Sequence, residues 1–375
     1  MRIVIDASTL GKNPTGIQVF THNLLKALSD IDRINNYEIY GTPFNKAQLG
    51  ITNDKFTINK MPTSIQNTYL CRIWYQNVLS VQLSRNNPDL FVSTNHVMPL
   101  FCKSPVVTII YDATPLIVDG SLGLFGKTLF SLNTRYSARN ADAIVTISQS
   151  SKRDIINYFK VKPERIYVIY PGYDDVLFNE QQESEEIEIT KHKLSISGNY
   201  ILYAGTLQTN KNIPRLIEAF TLLKERGQIN HKLVLAGKPS AGYGDIAKAV
   251  RNSSANKDII LTGYVPKEIL PGLFKGADIF VFPSLYEGFG IPPLEAMACG
   301  VPVITSNTSS LPEVMGDAGI LVNPYDITGL ANSIYRVISD QTLHMDLSRR
   351  GLERAKLFSW DRAGKEFVKT FESVM

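Results

Sequence analysis

The sequence predicts an α/β protein built from two Rossmann-like, doubly wound domains in tandem. Short runs rich in β-branched residues alternate along the chain with amphipathic stretches of helical length. The short runs are continuously apolar, which is typical of parallel strands in a sheet that is covered on both faces. At 375 residues, the chain is also too long for one ordinary hydrophobic core and suits two domains.

The first domain is predicted to span residues 1–175. Its predicted helices are "GIQVFTHNLLKAL" (16–28) and "SKRDIINYF" (151–159), whose apolar residues recur with helical spacing. Its predicted strands are "RIVIDA" (2–7), "DLFVS" (89–93), "VVTIIYD" (106–112), "AIVTIS" (143–148) and "IYVIY" (166–170).

The second domain is predicted to span residues 176–357, where the alternation of strands and helices restarts. It begins with a polar, acidic stretch at 179–196, which we expect to be a connector or a solvated helix. The amphipathic tail at 358–375 is predicted to form a helix that packs back on the first domain. The strands predicted for the second domain are "YILYAG" (200–205), "HKLVLAG" (231–237), "IILTG" (259–263), "DIFVFP" (278–283), "VPVITS" (301–306) and "GILVN" (319–323).

The charge of the chain is concentrated in its N-terminal half. The formal net charge is +4, and residues 1–175 carry 18 Lys and Arg against 13 Asp and Glu. This excess is either ordinary surface variation or a surface for an anionic partner, such as a phosphorylated acceptor or an acidic membrane. Nucleic acid is disfavoured as a partner, because no cluster of Lys and Arg is interleaved with aromatic residues.

Cysteine usage and hydropathy indicate the compartment. Cys71, Cys102 and Cys299 lie far apart and form no C-x-x-C pair, which argues against a disulfide framework or a zinc site and favours a reducing compartment. The N-terminus turns polar after five residues, so we expect a first strand rather than a signal peptide. No run of about 18 apolar residues predicts a membrane span. We therefore expect a cytoplasmic protein, either free or peripheral on the inner face of the cytoplasmic membrane.

The most informative stretch is "FPSLYEGFGIPPLEAMACGVPVITS" (282–306). A predicted strand brings the chain to its carboxyl end, where the Gly-Phe-Gly turn at 288–290 lets the backbone approach a ligand closely. A helix then opens at Ile291 with two prolines in its first turn. The spare amides and positive dipole end of that helix predict an anion site that fits a diphosphate.

The run "PSLYEGFGIPPLEAMACGVPVI" resembles the signature of the retaining glycosyltransferases of family 4, which have the GT-B fold. Further segments similar to this family cover essentially the whole chain in the family's order. They are "NPTGIQVFTHNLLKAL", "YDATPL", "VTISQSSKRDI", "VIYPGYD", "YAGTLQTNKNIPRLIEAF", "LTGYVPKEILPGLFKGADIFVFPS" and "SLPEVMGDAGILVNPYD". The resemblance implies two Rossmann-like domains facing across a cleft, with a nucleotide-sugar on the second domain and the acceptor on the first.

The resemblance also implies roles for residues of the second domain. Glu287 would lie near the transferred sugar, and Glu295 would accept hydrogen bonds from ribose hydroxyls. Lys211, in "LQTNKNIPRL", matches the family's phosphate-binding lysine and is expected to hold the diphosphate. Thr206 stands where the family commonly has an arginine, and Arg215 is expected to be solvated rather than to replace it.

Four further positions lie at predicted strand or helix ends. The resemblance makes Gly16 a close-approach glycine beside the phosphates or the sugar. Tyr111 stands where many relatives have a histidine near that sugar; it can donate a hydrogen bond but cannot be a cation at neutral pH. His96 either takes the acceptor's proton or bonds to the backbone. Tyr264 either stacks on the nucleotide base or packs in the fold.

Metal and cofactor are not expected. The Asp-x-Asp motif of many metal-dependent transferases occurs here as Asp30-Ile-Asp32, at a helix end, where a helix-terminating loop is the favoured interpretation. The resemblance implies retention by a front-face return, in which the leaving phosphate accepts the acceptor's proton. The motifs are most similar to mannosyltransferases of bacterial surface polysaccharide synthesis. The expected donor is therefore GDP-mannose, and the expected acceptor is a glycan or a lipid-diphosphate-linked molecule.

Three alternatives remain open, namely a UDP-sugar transferase of the same fold, a nucleotide-sugar epimerase and a non-catalytic nucleotide-sugar-binding protein. A dinucleotide oxidoreductase is disfavoured, because no G-x-G-x-x-G follows the first strand. The candidate catalytic residues are Glu287, Lys211, Tyr111 and His96. The candidate donor-binding residues are Gly16, Thr206, Lys211, Tyr264, Glu287, Gly288, Phe289, Gly290, Ile291 and Glu295.

Overall fold

The computed structural model describes residues 1–11, 16–60, 75–118, 123–181 and 184–375. These residues form two compact units. The first unit holds the described residues of 1–117 and 123–172 together with Phe358–Met375, and the second holds Tyr173–Leu357. Among the helices of the described residues, none is long and apolar enough to cross a membrane.

The sheet of the first unit has seven strands among its described residues, in the order β3-β2-β1-β4-β5-β6-β7, and its pairings are parallel. The chain reverses its direction across the sheet between β1 and β4, which is the topological switch point. The strands are β1 Arg2–Asp6, β2 Asn36–Tyr40, β3 Phe56–Asn59, β4 Leu90–Ser93, β5 Val106–Ile109, β6 Ala143–Thr146 and β7 Ile166–Val168. The α-helices of residues 1–172 are Gly16–Ile31, Ser80–Asn86, Thr114–Ile117, Leu124–Asn140 and Gln149–Phe159, with a π-helical segment at Tyr75–Leu79.

The sheet of the second unit has six strands among its described residues, in the order β10-β9-β8-β11-β12-β13, also with parallel pairings. Its switch point lies between β8 and β11. The strands are β8 Tyr200–Ala204, β9 Lys232–Ala236, β10 Ile259–Gly263, β11 Ile279–Phe282, β12 Val303–Ser306 and β13 Ile320–Val322. The α-helices are Ser184–Lys193, Ile213–Glu225, Tyr243–Asn252, Leu270–Lys275, Ile291–Ala298, Leu311–Met315, Ile327–Ser339 and Gln341–Ala355.

Each strand predicted from the sequence forms at or within its predicted bounds, but the sequence analysis does not predict β2 and β3. These two strands lie at one edge of the first sheet, and the sequence of β2 mixes polar and aromatic residues. Tyr37 of β2 is buried, with its ring stacked 4.5 Å from that of Phe56 in β3. Tertiary packing therefore sets the strand conformation where the local pattern is weak.

Asp32 forms the turn that ends the first helix, as the sequence analysis favours. Its carboxylate accepts hydrogen bonds from the N–H groups of Ile34 (2.8 Å) and Asn35 (3.1 Å) and from the hydroxyl of Tyr37 (2.6 Å). All of these contacts satisfy backbone and side-chain donors at the helix C-terminus and the start of β2. The side chain thus has a structural task in the fold.

The C-terminal helix Trp360–Ser373 belongs to the first unit and packs on the helix Gly16–Ile31. Phe20 contacts it edge-on, with its ring 5.1 Å from Trp360 and 6.2 Å from the buried Phe367. The N–H of Arg362 donates to the Oγ of the N-cap residue Ser359 at 3.1 Å. An amphipathic face and a serine cap therefore fix both the position and the start of this helix.

Gly172 gives the first prediction, because it lies directly against the start of the C-terminal helix. A Cβ at this position would lie 2.5 Å from the carbonyl carbon of Ser359 and even closer to the backbone nitrogen of Trp360. We expect Gly172→Ala to destabilise the first unit by about 1–3 kcal/mol, since backbone atoms cannot move away cheaply. Urea unfolding followed by tryptophan fluorescence measures the effect.

The matched control is Gly244→Ala, which lies within the helix Tyr243–Asn252 with nothing within 4 Å of the added Cβ. This variant is expected to be as stable as the parent or more stable, because alanine favours a helix. Equal unfolding midpoints for Gly172→Ala and the parent protein would contradict the close approach of the two backbones.

Candidate functional site

Lys211 and Glu287 form an ion pair at the switch point of the second sheet. Strands β8 and β11 are neighbours there, and the loop after each strand carries one of the two residues. Lys211 Nζ donates to Glu287 Oε1 at 2.5 Å, and each side chain is 13% exposed. Ligands of open α/β sheets bind beyond the carboxyl ends of the strands at such a point.

Two asparagines fix the turn that carries Lys211. Asn210 donates from Nδ2 to the carbonyl oxygen of Tyr286 at 3.2 Å. Asn212 has a φ of +58°, a left-handed conformation that asparagine tolerates better than most residues, and its Nδ2 donates to the carbonyl of Pro283 at 3.1 Å. The lysine backbone is therefore tied to the loop that leads to Glu287.

The loop that carries Glu287 is held by the hydroxyl residues 308–310, which follow β12. The N–H of Glu287 donates to Ser309 Oγ at 3.0 Å. Ser310 Oγ lies within donating distance of two carbonyls, those of Glu287 (2.9 Å) and Phe289 (2.6 Å). These serines are not predicted from the sequence, although the run "SNTSS" at the end of an apolar strand could have indicated them.

Aromatic rings line the buried side of the ion pair. Lys211 Nζ lies 5.3 Å from the ring centroid of Phe282, and that ring is stacked on Tyr203 at 5.7 Å and on Phe280 at 5.9 Å. Burial, and after it the nearby carboxylate of Glu287, raises the pKa of Tyr203 well above its ordinary value. A desolvated ammonium over an aromatic face is stabilised by the ring quadrupole. The Phe282 ring therefore offsets part of the hydration free energy that Lys211 loses on burial.

The Gly-Phe-Gly turn follows Glu287 and is buried at all three positions, Gly288, Phe289 and Gly290. Gly290 has a φ of +122°, which side chains rarely adopt, and a Cβ there would lie 2.9 Å from Leu311 Cδ2. The third residue of the turn is therefore required to be glycine.

The helix Ile291–Ala298 starts directly after the turn and offers fewer amide donors than the sequence analysis expects. Pro292 and Pro293 occupy its first turn and carry no N–H group. The N–H of Leu294 already bonds to the carbonyl of Gly290 at 3.4 Å. The first turn therefore offers an anion the positive end of the helix dipole and the N–H group of Ile291. Further stabilisation of an anion at this point must come from groups outside the helix.

Thr206 and Arg215 lie on either side of the Lys211 turn in the sequence. Thr206 is exposed, and its carbonyl accepts the hydroxyl of Tyr203 at 3.1 Å. Contrary to the expectation of a solvated side chain, the Arg215 guanidinium donates to Asn212 Oδ1 at 2.7 Å and lies 5.0 Å from the Tyr325 ring centroid. The guanidinium thus supports the asparagine that shapes the Lys211 turn.

Tyr264 follows β10 and is 60% exposed, which leaves one face of its ring accessible for stacking. Lys238, which follows β9, places Nζ 4.3 Å from the centroid of this ring. Lys238 is not predicted as a site residue from the sequence, although its position directly after "LVLAG" marks a strand end. An exposed ring paired with a cation suits a planar, anionic ligand such as a nucleotide.

Glu295 lies one turn inside the helix that follows the Gly-Phe-Gly turn. Desolvation raises the pKa of its carboxyl to about 8, while the nearby Lys267 ammonium acts in the opposite direction and is itself paired with Asp174 at 2.7 Å. Burial and the Glu295 charge together raise the pKa of the next-turn Cys299 thiol to about 12. At neutral pH the Glu295 carboxyl therefore favours its protonated form, which offers one donor and one acceptor instead of two acceptor oxygens.

In the first unit, Gly16 and Tyr111 have different surroundings. Gly16 is the exposed first residue of its helix, and among the described residues a Cβ there would meet nothing within 4 Å. Tyr111 donates from its hydroxyl to the carbonyl of Thr94 at 2.9 Å and packs edge-on against Phe20 at 5.1 Å. Burial, with a smaller contribution from Asp6, raises the pKa of Tyr111 above its ordinary value, so the phenol stays protonated.

Asp6, the last residue of β1, and Asn95, which follows β4, meet at the switch point of the first sheet. Asp6 is fully buried, and its carboxylate accepts hydrogen bonds from the N–H of Ser8 (2.9 Å) and Asn95 Nδ2 (3.3 Å). Asn95 Oδ1 in turn accepts the N–H of Val97 at 2.8 Å, which fixes the turn around His96. Asp6 is not predicted as a site residue from the sequence, although an acidic residue at the end of an apolar strand could have indicated it.

The structure thus gathers Lys211, Glu287 and the Gly-Phe-Gly turn at one switch point. Thr206 also follows β8, whereas Tyr264 follows β10, which is separated from β8 by β9. His96 lies in the first unit, where its ring is 4.6 Å from that of Phe130. Within the described ranges, no group of three or more His, Cys, Asp or Glu side chains is arranged to hold a metal ion.

Two family models match the chain and together cover most of it. The model "Glycosyltransferase Family 4" matches residues 14–176, and "Glycosyl transferases group 1" matches residues 184–354. An uncharacterized glycosyltransferase of Methanocaldococcus jannaschii is 30% identical over 76% of this chain and 73% of its own.

Similar curated proteins include two Escherichia coli enzymes. The O-antigen chain mannosyltransferase B is 35% identical over 63% of this chain and 62% of its own length. The serotype-specific mannosyltransferase WbdA is 30% identical over 72% of this chain but only 33% of its own length. The matched region therefore spans less than two thirds of either enzyme.

Among solved structures, Anabaena HepE in complex with UDP and glucose has a TM-score of 0.76, at 19% identity and with all of both chains covered. This structural similarity confirms the predicted GT-B fold, which has two α/β domains with parallel β-sheets.

Asp6 gives a prediction for the pH dependence of stability. Burial raises its pKa from 3.8 to about 6 in the folded protein, so between these values the folded state binds more protons than the unfolded state. Stability contributed by this carboxyl is complete below pH 3.8 and is lost as the pH rises through 6. We expect the parent protein to lose about 2–3 kcal/mol relative to Asp6→Asn between pH 4 and pH 7.

Urea unfolding of both proteins across this pH range measures the difference. The exposed Asp54→Asn variant of the same unit controls for the loss of one surface carboxylate. A stability difference between the parent and Asp6→Asn that stays constant from pH 4 to pH 7 would rule out the raised pKa.

Proposed function

Because this chain belongs to the glycosyltransferase families of group 1 and family 4, we propose that it is a retaining mannosyltransferase that uses GDP-mannose. Its acceptor is a glycan, free or carried on a lipid diphosphate, in the synthesis of a bacterial surface polysaccharide. The observation that carries the proposal is the Lys211–Glu287 ion pair at the switch point of the second sheet.

In the proposed reaction, the Lys211 ammonium stabilises the departing diphosphate. The ammonium has three N–H donors, one of which bonds to Glu287, and its positive charge at low exposure suits an oxygen anion whose charge grows as the glycosidic bond breaks. Glu287, directly before the Gly-Phe-Gly turn, bonds the sugar hydroxyls and orients the donor. The support of both loops by asparagine and serine side chains favours such catalysis, since preorganised groups need no rearrangement during the reaction.

The choice of mannose is supported by the relatives, because the Escherichia coli proteins that this chain resembles are mannosyltransferases. A UDP-sugar is the second candidate, since the HepE structures of the same fold contain UDP or UDP-glucose. We place the base beside Tyr264 and the ribose near Glu295, in keeping with their positions after β10 and within the helix Ile291–Ala298.

We further propose that no divalent ion takes part and that the leaving phosphate accepts the acceptor's proton on the same face of the sugar. The ammonium of Lys211 would then provide the positive charge that a metal supplies elsewhere. Transfer that continues in EDTA supports this step, and transfer that EDTA abolishes and manganese restores would refute it.

Removal of either member of the ion pair should reduce transfer strongly. We expect Lys211→Ala and Glu287→Ala each to lower kcat/KM at least a hundredfold, which corresponds to about 2.7 kcal/mol of lost transition-state stabilisation. Steady-state transfer of labelled mannose to an acceptor measures kcat/KM.

The matched control is Lys224→Ala, because Lys224 forms a comparably short ion pair with Asp258 (2.7 Å) in the same unit. Its turnover should stay within about threefold of the parent value. Turnover near the parent level in Lys211→Ala or Glu287→Ala would remove the ion pair from the mechanism. Donor binding without transfer or hydrolysis in the parent protein would favour a non-catalytic binding protein instead.

Ligand-dependent unfolding should identify the nucleotide. We expect GDP and GDP-mannose to raise the melting temperature, since a ligand at about a hundred times its Kd adds about 2.7 kcal/mol of stability. Tyr264→Ala should weaken this stabilisation, because the exposed ring is lost as a stacking surface. A stronger response to UDP than to GDP would replace GDP-mannose by a UDP-sugar.

A further inference from the structure

Three apolar side chains of the helix Leu124–Asn140, in the first unit, lie in solvent. Leu124 is 87% exposed, Phe125 83% and Leu132 61%, whereas the buried residues of the helix are Thr134, Ser137 and Ala138. A helix that covers a sheet normally buries an apolar face and exposes a polar one. Leu124 and Phe125 at the start of this helix and Leu132 in its middle depart from this arrangement.

Two further apolar residues extend this surface. The loop after β4 runs along the helix, since the N–H of Met98 donates to Ser137 Oγ (3.0 Å) and the carbonyl of Leu100 accepts the hydroxyl of Tyr136 (3.0 Å). Leu100 is 53% exposed, and the next residue, Phe101, is 74% exposed. We call the set Leu100, Phe101, Leu124, Phe125 and Leu132 the apolar surface of the first unit.

Basic residues border the apolar surface. The helix carries Lys127, Arg135 and Arg139 and no acidic residue. Phe125, Leu132 and Arg139 are spaced by seven residues and therefore lie along one stripe of the helix, with the exposed Arg135 beside them. The exposed Lys103 lies two residues after Phe101. A helix face that combines exposed apolar and basic side chains is typical of segments that lie in a membrane interface.

We propose that the apolar surface inserts into the interface of an anionic lipid membrane, with Arg135, Arg139 and Lys103 on the lipid phosphates. The charge pattern favours this occupant over a second copy of the chain. In a symmetric dimer through this surface, Arg135 and Arg139 would face the same helix of the second copy, which carries no acidic residue. A bilayer with anionic headgroups complements both the apolar and the basic residues.

The inference rests on the proposed function for its biological meaning, because an acceptor on a lipid diphosphate is confined to a membrane surface. His96 lies five residues before Phe101, and its ring packs on Phe130 of the same helix at 4.6 Å. The apolar surface is therefore adjacent in the first unit to the turn that carries a candidate catalytic histidine. Its test does not depend on the identity of the sugar.

The test is co-sedimentation of the full chain with vesicles of phosphatidylcholine alone or with about one third phosphatidylglycerol. We expect binding to the anionic vesicles at low ionic strength, weaker binding in about 0.5 M NaCl, and little binding to the neutral vesicles. We expect two double variants each to lower the partition coefficient about tenfold or more. One combines Phe125→Ser and Leu132→Ser, and the other combines Arg135→Gln and Arg139→Gln. Ile34→Ser is the matched control, because Ile34 is 82% exposed elsewhere in the same unit, and it should bind like the parent protein.

Several outcomes would overturn the proposal. They are no binding of the parent protein to anionic vesicles, equal binding to neutral vesicles, or unchanged binding of both double variants. Concentration-dependent dimers that the Phe125→Ser and Leu132→Ser changes abolish, without vesicle binding, would assign the surface to a second copy instead. Both double variants should transfer sugar to a soluble acceptor at the parent rate. Vesicle binding without any sugar transfer would therefore contradict the proposed function and leave the membrane surface standing.

Discussion

The ion pair between Lys211 and Glu287 is the interaction on which the second unit's candidate site depends. Each charge has lost most of its water at 13% exposure, and the cost of that desolvation is offset only while each has a partner of opposite charge or good hydrogen bonds. The pair links the loop after β8 to the loop after β11. It also preorganises an ammonium and a carboxylate next to each other, so that neither side chain must move into place when a ligand binds.

Both units place a polar contact at the same topological position. In the second sheet it joins the loops after β8 and β11, and in the first sheet Asp6 and Asn95 join the ends of β1 and β4. The reversal of strand order opens a crevice at that point in a doubly wound sheet, because the helices on either side turn away from each other. Buried polar groups there need partners, and each sheet supplies them from the neighbouring strand.

Much of the fold and part of the site could be predicted from the sequence, because apolar runs and helical spacing are local signals. The runs at β8 and β11 indicate strand ends, and the residues that follow them include Lys211 and Glu287. The serines at 309 and 310 could not be found in this way, since they support a loop more than 20 residues earlier in the chain. Strands β2 and β3 could not be predicted for a related reason, because they are stabilised by contacts between residues distant in sequence, such as the stacking of Tyr37 on Phe56.

The prolines of the helix Ile291–Ala298 change how an anion can be held near Glu287. They fix the first turn after Gly290, but they remove two of the amide donors that a helix N-terminus usually offers. Thr206, in turn, provides no cation at the position after the glycine that ends β8, and Arg215 is engaged by Asn212 and Tyr325. In the described loops after β8 (205–212) and β11 (283–290), Lys211 is thus the one basic residue. In the proposed reaction, stabilisation of the diphosphate charge therefore depends more on Lys211 than in a site where several amides and arginines contribute. Few other groups would compensate for the loss of the Lys211 ammonium.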